Sequence, residues 1–459
     1  MNQPDVEKGS AEFNRRDFIR GASFGSLMLM MGGVPLRAED AEPGADGDET
    51  HYSTVTKPVS FGVIGCGLWG KEVIQTLGFL PNAPVAAVCE TYAPFLRQAK
   101  ELAPKAEGYA DYHQLLEQKN VEAVVVATPS HLHKEIVVAA LAAGKHVYCE
   151  APLASSIEDA RAIAQAAKAA YKCNFQSGLQ WRAHPQKLFL LKFIRSGAVK
   201  TPVLARAQWH KLDSWRRASA KPEREKALNW RLSSETSAGL IGEVGIHQLD
   251  LISWSLGRKP AAVTGYGGIL RWDDGRDVPD TVQAVLEYPD KVNFTYDATL
   301  ANSFDADYEM LFGTQAAIMT RGDKAWMFKE VEADLLGWEI YAAKKQFYDE
   351  TGIALVLGAS KSVQAVKKEV SPFEESPLHY SLGTFARNSW VIGQGVKDFT
   401  TNYGADAEGL PEYMASLFKK NLPAPSYTEG FDATVVAIKA NEAVLQKKRI
   451  EIKQEWFEI

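Results

Sequence analysis

The stretch Gly65-Cys66-Gly67-Leu68-Trp69-Gly70 decides the fold of the first part of the chain. It follows an apolar run of strand length, Val59 to Ile64, and opens a stretch of helical spacing. In a turn of this kind the first glycine makes the bend, the second admits a pyrophosphate, and the third lets the helix pack on the strand. The turn predicts a dinucleotide site on a helix N-terminus. A plain strand–helix unit with a chance glycine pattern is the alternative.

A carboxylate stands where such a site needs one. A second apolar run, Val85 to Cys89, ends in Glu90, about 20 residues beyond Gly70, where a carboxylate accepts hydrogen bonds from the adenosine ribose. A carboxylate repels the 2′-phosphate of NADP, so Glu90 favours NAD as the cofactor and leaves NADP open.

Strands alternate with helices up to about residue 180, which predicts a doubly wound parallel sheet with right-handed crossovers. Two of its strands end in polar turns, at Thr128-Pro129 and at Glu150-Ala151-Pro152. Ligands bind at these carboxyl ends. His133 either touches the dinucleotide or begins a helix facing water. The predicted cofactor contacts are Gly65, Gly67, Leu68, Trp69, Gly70, Glu90, Thr128, Pro129, His133, Glu150 and Pro152.

Length and composition indicate an ordinary globular protein of two domains. The chain has 459 residues, of which 46% are hydrophobic and 24% charged. A formal net charge of -6 gives no reason to expect nucleic acid or an anionic membrane as partner. The four cysteines fit neither a zinc site nor a disulfide framework, and no metal-binding spacing is present.

The N-terminus carries an export pattern. Asn14-Arg15-Arg16-Asp17-Phe18 precedes a short, glycine-rich apolar stretch and the sequence Leu36-Arg37-Ala38. Residues 1–38 therefore predict a twin-arginine signal, with a periplasmic or extracellular destination and no stable membrane span after processing. Residues 39–57 predict a disordered linker. The alternative is an arginine-rich leader on a cytoplasmic dehydrogenase.

Residues 58–180 form the predicted nucleotide-binding domain, and residues 181–459 form a second α/β domain. Alternating runs there predict antiparallel strands at 263–269, 282–288, 292–300 and 309–312. Residues 381–400, 406–420 and 427–447 predict helices, and residues 360–376 predict a charged loop.

A second polar motif lies in Gly242-Glu243-Val244-Gly245-Ile246-His247-Gln248-Leu249-Asp250. On a helix Glu243, His247 and Asp250 share one face. An imidazole titrates near neutrality and can take a hydroxyl proton, while a carboxylate one turn away can orient it. His247 and Glu243 are the predicted catalytic residues. A histidine that only fills the core is the alternative.

The stretch Trp209 to Arg231 is rich in tryptophan and arginine. Aromatic rings stack on the C–H faces of sugars, and arginines donate to hydroxyls or carboxylates. The stretch either binds substrate or is a surface loop whose tryptophans anchor it to the core. The predicted substrate contacts are Arg182, Trp230, Arg231 and Asp250.

The order of these motifs, from the glycine turn through TPxxxH and GKHVYCE to GIHQLD, resembles the Gfo/Idh/MocA oxidoreductase family. The resemblance is specific from about Val59 to Gly257 and looser beyond. It implies a Rossmann domain, a second domain with a large open, mostly antiparallel sheet, bound NAD or NADP, and hydride transfer at a sugar or cyclitol CH–OH. It also implies a homo-oligomer and a catalytic role for His247.

One residue departs from the family pattern. The family usually has Glu-Lys-Pro where this chain has Glu150-Ala151-Pro152. That lysine helps to place the substrate and stabilises developing alkoxide charge, and alanine can do neither.

The sequence thus leads to an exported oxidoreductase with tightly bound cofactor, acting on a sugar or glycoside. It either couples two sugars or works as an NAD-dependent glycosidase. A carbohydrate- or dinucleotide-binding protein that has lost catalysis is the alternative, and Ala151 is its main support.

Overall fold

A computed structural model describes residues 57–219, 221–335, 344–347, 350–354, 375–404 and 408–459. The predicted export signal, nearly all of the predicted linker and most of the predicted charged loop at 360–376 lie outside the described residues.

Six short strands form the first sheet. They are β1 (Phe61–Ile64), β2 (Val85–Cys89), β3 (Glu107–Tyr109), β4 (Ala123–Val126), β5 (His146–Cys149) and β6 (Phe175–Ser177). All pairs are parallel, in the order β3-β2-β1-β4-β5-β6. The strand order reverses between β1 and β4, which is where a doubly wound sheet binds its ligand. The predicted parallel sheet is confirmed.

Five helices connect these strands: α1 (Leu68–Gly78), α2 (Ala93–Leu102), α3 (Tyr112–Leu116), α4 (His133–Ala142) and α5 (Ile157–Ala169). The buried side chains of α1 and α2 pack on one face of the sheet. Those of α3, α4 and α5 pack on the other. Right-handed crossovers on either side of β1 produce this division.

The second sheet has ten strands: β7 (Pro202–His210), β8 (Ala262–Gly268), β9 (Thr281–Glu287), β10 (Asn293–Thr299), β11 (Asp307–Gly313), β12 (Ala316–Arg321), β13 (Lys324–Lys329), β14 (Lys344–Phe347), β15 (Glu350–Ala354) and β16 (Arg449–Glu451). Their order is β14-β15-β13-β12-β11-β7-β10-β9-β8-β16. Among the described strands of this sheet, β7 and β10 pair in parallel and the other pairs are antiparallel. The large, mostly antiparallel sheet is therefore confirmed.

The remaining helices are α6 (Pro185–Phe193), α7 (Glu225–Leu228), α8 (Ile246–Leu256), α9 (Pro377–Tyr403), α10 (Leu410–Phe418) and α11 (Tyr427–Gln446). A π-helical turn, Ile241–Gly245, leads directly into α8. Such turns are rare and recur at functional sites.

Helix α9 completes the core of the first sheet, although it comes from the far end of the chain. The ring of Phe385 packs against Phe61 of β1 and Tyr148 of β5, with centroids 5.7 and 5.6 Å apart. Ser381 accepts hydrogen bonds from Gln176 of β6 at its carbonyl and its hydroxyl. The α1 face of β4, β5 and β6 is thus covered by a helix of the second half.

Helix α11 lies between the two sheets. On one side the Thr434 hydroxyl accepts a hydrogen bond of 3.0 Å from the N–H of Leu153. On the other, a Cβ built at Gly265 or Gly267 of β8 would come within 2.7 Å of Val444. Glycine at these positions lets the sheet approach the helix closely. No helix in the described ranges is long and apolar enough to cross a membrane.

Candidate cofactor and catalytic site

The three glycines of the turn have three different surroundings. Gly65 has a φ of +89°, and a Cβ on Gly70 would lie 1.8 Å from the Gly65 carbonyl oxygen. Both positions therefore exclude a larger residue. A Cβ on Gly67 would meet nothing within 4 Å, and Gly67 is the residue at which α1 begins. The turn is closed against the protein and open at its middle glycine, as a site for a pyrophosphate requires.

Glu90 lies at the end of β2 and reaches the same turn. Its carboxylate accepts hydrogen bonds from the N–H of Cys66, at 3.0 Å, and of Tyr92, at 2.8 Å. The Thr91 hydroxyl donates a third hydrogen bond, at 3.3 Å. A carboxylate has four lone-pair positions, so one stays open to a ribose hydroxyl. Glu90 therefore fixes the glycine turn and can also bind the adenosine ribose.

The turns after β4 and β5 are tied together by His133. This imidazole is 1% exposed. Its Nε2 lies 2.9 Å from the Thr128 carbonyl oxygen, and its Nδ1 lies 3.2 Å from that of Pro152. Burial lowers the pKa of His133 to about 4. A neutral imidazole carries one N–H, so the ring packs between the two turns and donates a hydrogen bond to one carbonyl at a time. Its direct contact with a dinucleotide stays a prediction.

Two buried polar atoms beside these turns have no partner within the described protein. They are the hydroxyl of Thr128 and Oε1 of Glu150. Burial raises the pKa of Glu150 to about 7, against the effect of a hydrogen bond from the Trp69 side chain. Buried polar atoms are nearly always hydrogen-bonded. Gly67 is open to a ligand, and these two buried polar atoms lack partners. The residues of this site therefore fit a bound dinucleotide.

Glu243 joins the second domain to the first. Its carboxylate accepts hydrogen bonds from the Ser130 hydroxyl, at 2.9 Å, and from the N–H of Ala238, also at 2.9 Å. Burial raises its pKa, although the Arg231 charge and these hydrogen bonds act to lower it. Ser130 follows the Thr128-Pro129 turn, so this bond sets Glu243 at the carboxyl edge of the first sheet.

Glu243 and His247 lie in two consecutive helical elements. Glu243 is in the π-helical turn Ile241–Gly245 and His247 is in α8, and the face that their i, i+4 spacing predicts them to share stays a prediction. The described hydrogen bonds of Glu243 go to Ser130, Ser237 and Ala238. Burial lowers the pKa of His247 to about 4, so the imidazole is neutral at pH 7. A neutral ring can accept a proton.

Arg182 and Asp250 bind each other. The guanidinium donates two hydrogen bonds to the carboxylate, of 2.9 and 2.8 Å, and lies 5.1 Å from the centre of the Trp254 ring. Asp250 is 6% exposed. This forked pair fixes α8 to the segment after β6. Their predicted contact with substrate stays a prediction, and the pair has a structural role that spacing did not indicate.

Trp230 and Arg231 stand at the mouth of the same region. The Arg231 guanidinium lies 4.5 Å from the centre of the Trp230 ring. Trp230 in turn faces His131, with ring centroids 6.2 Å apart. The Arg231 charge also acts to lower the pKa of Glu243. An aromatic face beside a permanent cation suits the binding of a polyhydroxy ligand.

Sequence reasoning missed Ser130 and His131. Ser130 is the partner of Glu243, and the Nδ1 atom of His131 is buried without a partner in the described protein. Both lie inside the TPxxxH motif at the end of a strand, and this position could have identified them as candidate site residues. The pairing of Ser130 with Glu243 joins residues 113 positions apart, and no local pattern reports it.

The four cysteines, Cys66, Cys89, Cys149 and Cys173, are free and buried. No group of three or more metal-ligating side chains occurs within the described ranges.

Family models match both domains. Residues 59–178 match the NAD-binding Rossmann fold of the Gfo/Idh/MocA oxidoreductase family, and residues 190–319 match the C-terminal domain of that family. A 2,7-anhydro-N-acetylneuraminate hydratase of Escherichia coli is 28% identical over 272 residues, which cover 57% of this chain and 67% of that protein.

An inositol 2-dehydrogenase of Salmonella paratyphi B is 28% identical over 207 residues, which cover 45% of this chain and 56% of that protein. The alignment thus spans little more than half of that relative's length. A solved levoglucosan dehydrogenase, in complex with NADH and levoglucosan, shares the fold with a TM-score of 0.63 at 17% identity, covering 87% of this chain and all of that one. The chain belongs to the Gfo/Idh/MocA family of NAD-binding oxidoreductases.

Proposed function

We propose that this protein is an exported oxidoreductase that acts on a CH–OH group of a sugar or glycoside and keeps its NAD bound through turnover. The observation that supports the proposal is the Ser130–Glu243 bond, which holds Glu243 and its π-helical turn, just before His247 in sequence, at the carboxyl edge of the nucleotide-binding sheet. Polar groups of the second domain thereby face the residues that fit the dinucleotide.

Different side chains of the protein have different roles in the proposed reaction. Bound NAD supplies a hydride acceptor. His247, neutral at pH 7, takes the hydroxyl proton as the C–H electron pair leaves with the hydride, and it returns the proton in the reverse step. Arg231 is the cation that acts on buried Glu243 and is placed to stabilise negative charge on oxygen. Trp230 offers a face to the sugar ring.

Export favours a reaction with no net redox change. The Arg15-Arg16 pattern supports transport of a folded protein, and outside the cytoplasm no nicotinamide pool regenerates the cofactor. The hydride must therefore return within one cycle. It goes either to a second sugar or back to the same carbon after a ketone has acidified the neighbouring C–H and a glycosidic bond has been eliminated. One relative is named as a hydratase, which also describes a net reaction without oxidation.

The first test asks whether the cofactor is held. The mature protein is purified without added nucleotide, denatured, and its released nucleotides are identified by mass spectrometry. Near-stoichiometric NAD supports the proposal. An empty protein that also fails to bind added NAD contradicts it.

The second test asks whether His247 moves the proton. We expect His247→Ala to lower the rate of NAD reduction by an active sugar about 10²- to 10⁴-fold, with NAD binding retained, because a positioned base contributes a factor of that size. His113→Ala is the matched control, since its side chain is 61% exposed. Full activity of His247→Ala would remove this residue from the mechanism.

A non-catalytic binding protein is the second candidate, and Ala151 is the observation that favours it. Here Ala151→Lys discriminates. If the wild-type protein binds NAD but reduces none of it with a broad panel of sugars, and the lysine variant does, the binding protein is the better description. Equal hydride transfer by both proteins supports the enzyme.

A further inference from the structure

A basic arm of the second domain crosses from the catalytic residues to the adenosine end of the cofactor site. The arm is defined as residues 211–219 and 221–231. It contains seven lysines or arginines and three aspartates or glutamates, in a chain whose formal net charge is -6. Apart from the short helix α7 it has little regular structure, so its course depends on side-chain contacts.

Those contacts close the arm on itself and anchor it to the second domain. The N–H of Arg217 donates to the side-chain oxygen of Asn229 at 2.7 Å, and the Asn229 amide donates back to the Arg217 carbonyl at 2.9 Å. Arg216 donates to the carbonyl of Asp274 at 2.8 Å, and Arg276 donates to the carbonyl of Ser214. The arm is therefore a fixed loop with a defined tip.

The tip reaches the first domain through Arg224. Its guanidinium donates to the Thr91 hydroxyl at 3.3 Å and lies 5.1 Å from the centre of the Tyr92 ring. Thr91 and Tyr92 come directly after Glu90, the position that binds the adenosine ribose in this fold. At its other end the arm places Trp230 against His131.

We propose that Arg224, held on Tyr92 by the arm, clamps the adenosine half of NAD and sets the rate at which the cofactor leaves. The clamp belongs to the second domain, whereas the glycine turn and Glu90 belong to the first. Departure of the cofactor along the ribose end then requires the Arg224 contacts to open. This inference rests on the proposed function, because it explains how NAD is held through turnover.

The test measures release of NADH, without any sugar present. The full-length mature protein is loaded with NADH, mixed with a large excess of NAD⁺, and the loss of bound-NADH fluorescence is followed. We expect Arg224→Ala to release NADH about 5- to 30-fold faster than the wild type, because it loses a hydrogen bond and a cation–π contact. Tyr92→Leu keeps Arg224 but removes the aromatic ring that Arg224 contacts, and it should also accelerate the release of NADH.

Lys226→Ala is the matched control. Lys226 lies two residues along the arm and pairs with Glu235 of the second domain, with both side chains more than two-thirds exposed. Its removal takes away the same charge from the same arm, and release should stay within twofold of the wild type. The thermal unfolding midpoint of each variant shows whether the fold is retained.

The outcomes separate the clamp from the proposed function. Unchanged release in Arg224→Ala, with NADH still bound, overturns the clamp and leaves the oxidoreductase intact. Equal acceleration by Lys226→Ala also overturns it, since general loss of positive charge would then be the cause. Failure of the wild type to bind NADH overturns both.

Discussion

At the scale of single residues, a substitution of Gly67 should affect cofactor binding without affecting folding. A Cβ at this position meets no protein atom within 4 Å, whereas at Gly70 it would collide with the Gly65 carbonyl. Gly67→Ala should therefore leave the stability of the nucleotide-free protein unchanged and weaken NAD binding about tenfold or more, because the methyl group occupies the approach of the pyrophosphate. Isothermal titration with NAD and thermal unfolding measure the two effects.

Gly78→Ala is the control for that prediction. Gly78 ends the same helix, and its built Cβ also meets nothing within 4 Å. It lies far along α1 from the turn, so NAD binding should be unchanged. If Gly67→Ala binds NAD as tightly as Gly78→Ala does, the pyrophosphate does not lie at the turn.

Ser130 gives a second residue-scale prediction, because it satisfies a buried carboxyl group. Ser130→Ala leaves Glu243 without its hydrogen bond from the first domain. We expect a loss of about 1–3 kcal/mol in the free energy of unfolding, the usual cost when a buried polar group loses its partner. Urea unfolding measures it. The matched control is Ser196→Ala, whose hydroxyl donates only to the nearby carbonyl of Phe193.

The residues that were predictable from sequence are those whose role is local. The glycine turn and Glu90 carry their chemistry in a run of about 26 residues that is read directly, since strand, turn and helix follow one another. The pairing of Arg182 with Asp250 is not local. Each residue suited a substrate contact by type, and only the fold reveals that each neutralises the other.

At the scale of secondary-structure elements, α9 is the part that sequence patterns could not place. The sequence predicts a strand that ends in the turn Glu150-Ala151-Pro152, and the structure has β5 at His146–Cys149. Nothing in the strand indicates what covers it. Its polar atoms point to α9: the Tyr148 hydroxyl lies 3.1 Å from that of Ser381, and the Asn174 amide, beside β6, donates to Ser389 at 3.0 Å.

A prediction follows for α9. Phe385→Ala should lower the free energy of unfolding by about 3–5 kcal/mol, because it opens a cavity between α9, β1 and β5. Lys397→Ala in the same helix should cost less than about 1 kcal/mol, since its ion pair with Glu122 is exposed. Equal and small effects on urea unfolding would mean that α9 contributes little to the first core.

Strand positions in the second domain were predicted well where the apolar alternation is regular. The run 282–288 is observed as Thr281–Glu287, and 292–300 as Asn293–Thr299. The parallel pairing of β7 with β10 was not predictable, because their residues lie about 90 positions apart and alternation does not encode a partner.

At the scale of the whole molecule, buried histidines predict that acid destabilises the fold. Burial lowers the pKa of His133, His146, His184 and His247 to about 4. Between the usual value of 6.5 and 4 the unfolded chain binds protons that the folded chain does not, so stability falls as the pH falls. Burial raises the pKa of Glu150 to about 7 and also raises the pKa of Glu243, Asp250, Asp307 and Asp432, and these carboxyl groups act in the opposite direction. The histidine contribution is therefore isolated by comparing single variants with the wild type.

Urea unfolding at pH 7 and pH 5 tests this. We expect each fully buried histidine to remove about 1–2 kcal/mol between these two pH values. His146→Asn should flatten the dependence by about that amount, because the asparagine oxygen can replace Nδ1 as acceptor for the N–H of Asn174. A change at an exposed residue that does not titrate, Gln75→Asn, should leave the dependence unaltered. A pH dependence in His146→Asn equal to that of the wild type would contradict this contribution.

The position of α9 in the chain also determines when, during translation, the core of the first sheet can be completed. The last strand of the first sheet ends at Ser177. Phe385 and Ser381, which complete the core of that sheet, come about 200 residues later in the sequence. At ordinary rates of translation, the ribosome needs about 10–40 s to pass from one to the other. During that interval the sheet stands half covered on the ribosome. The core of the nucleotide-binding sheet is therefore completed only after α9 has been made.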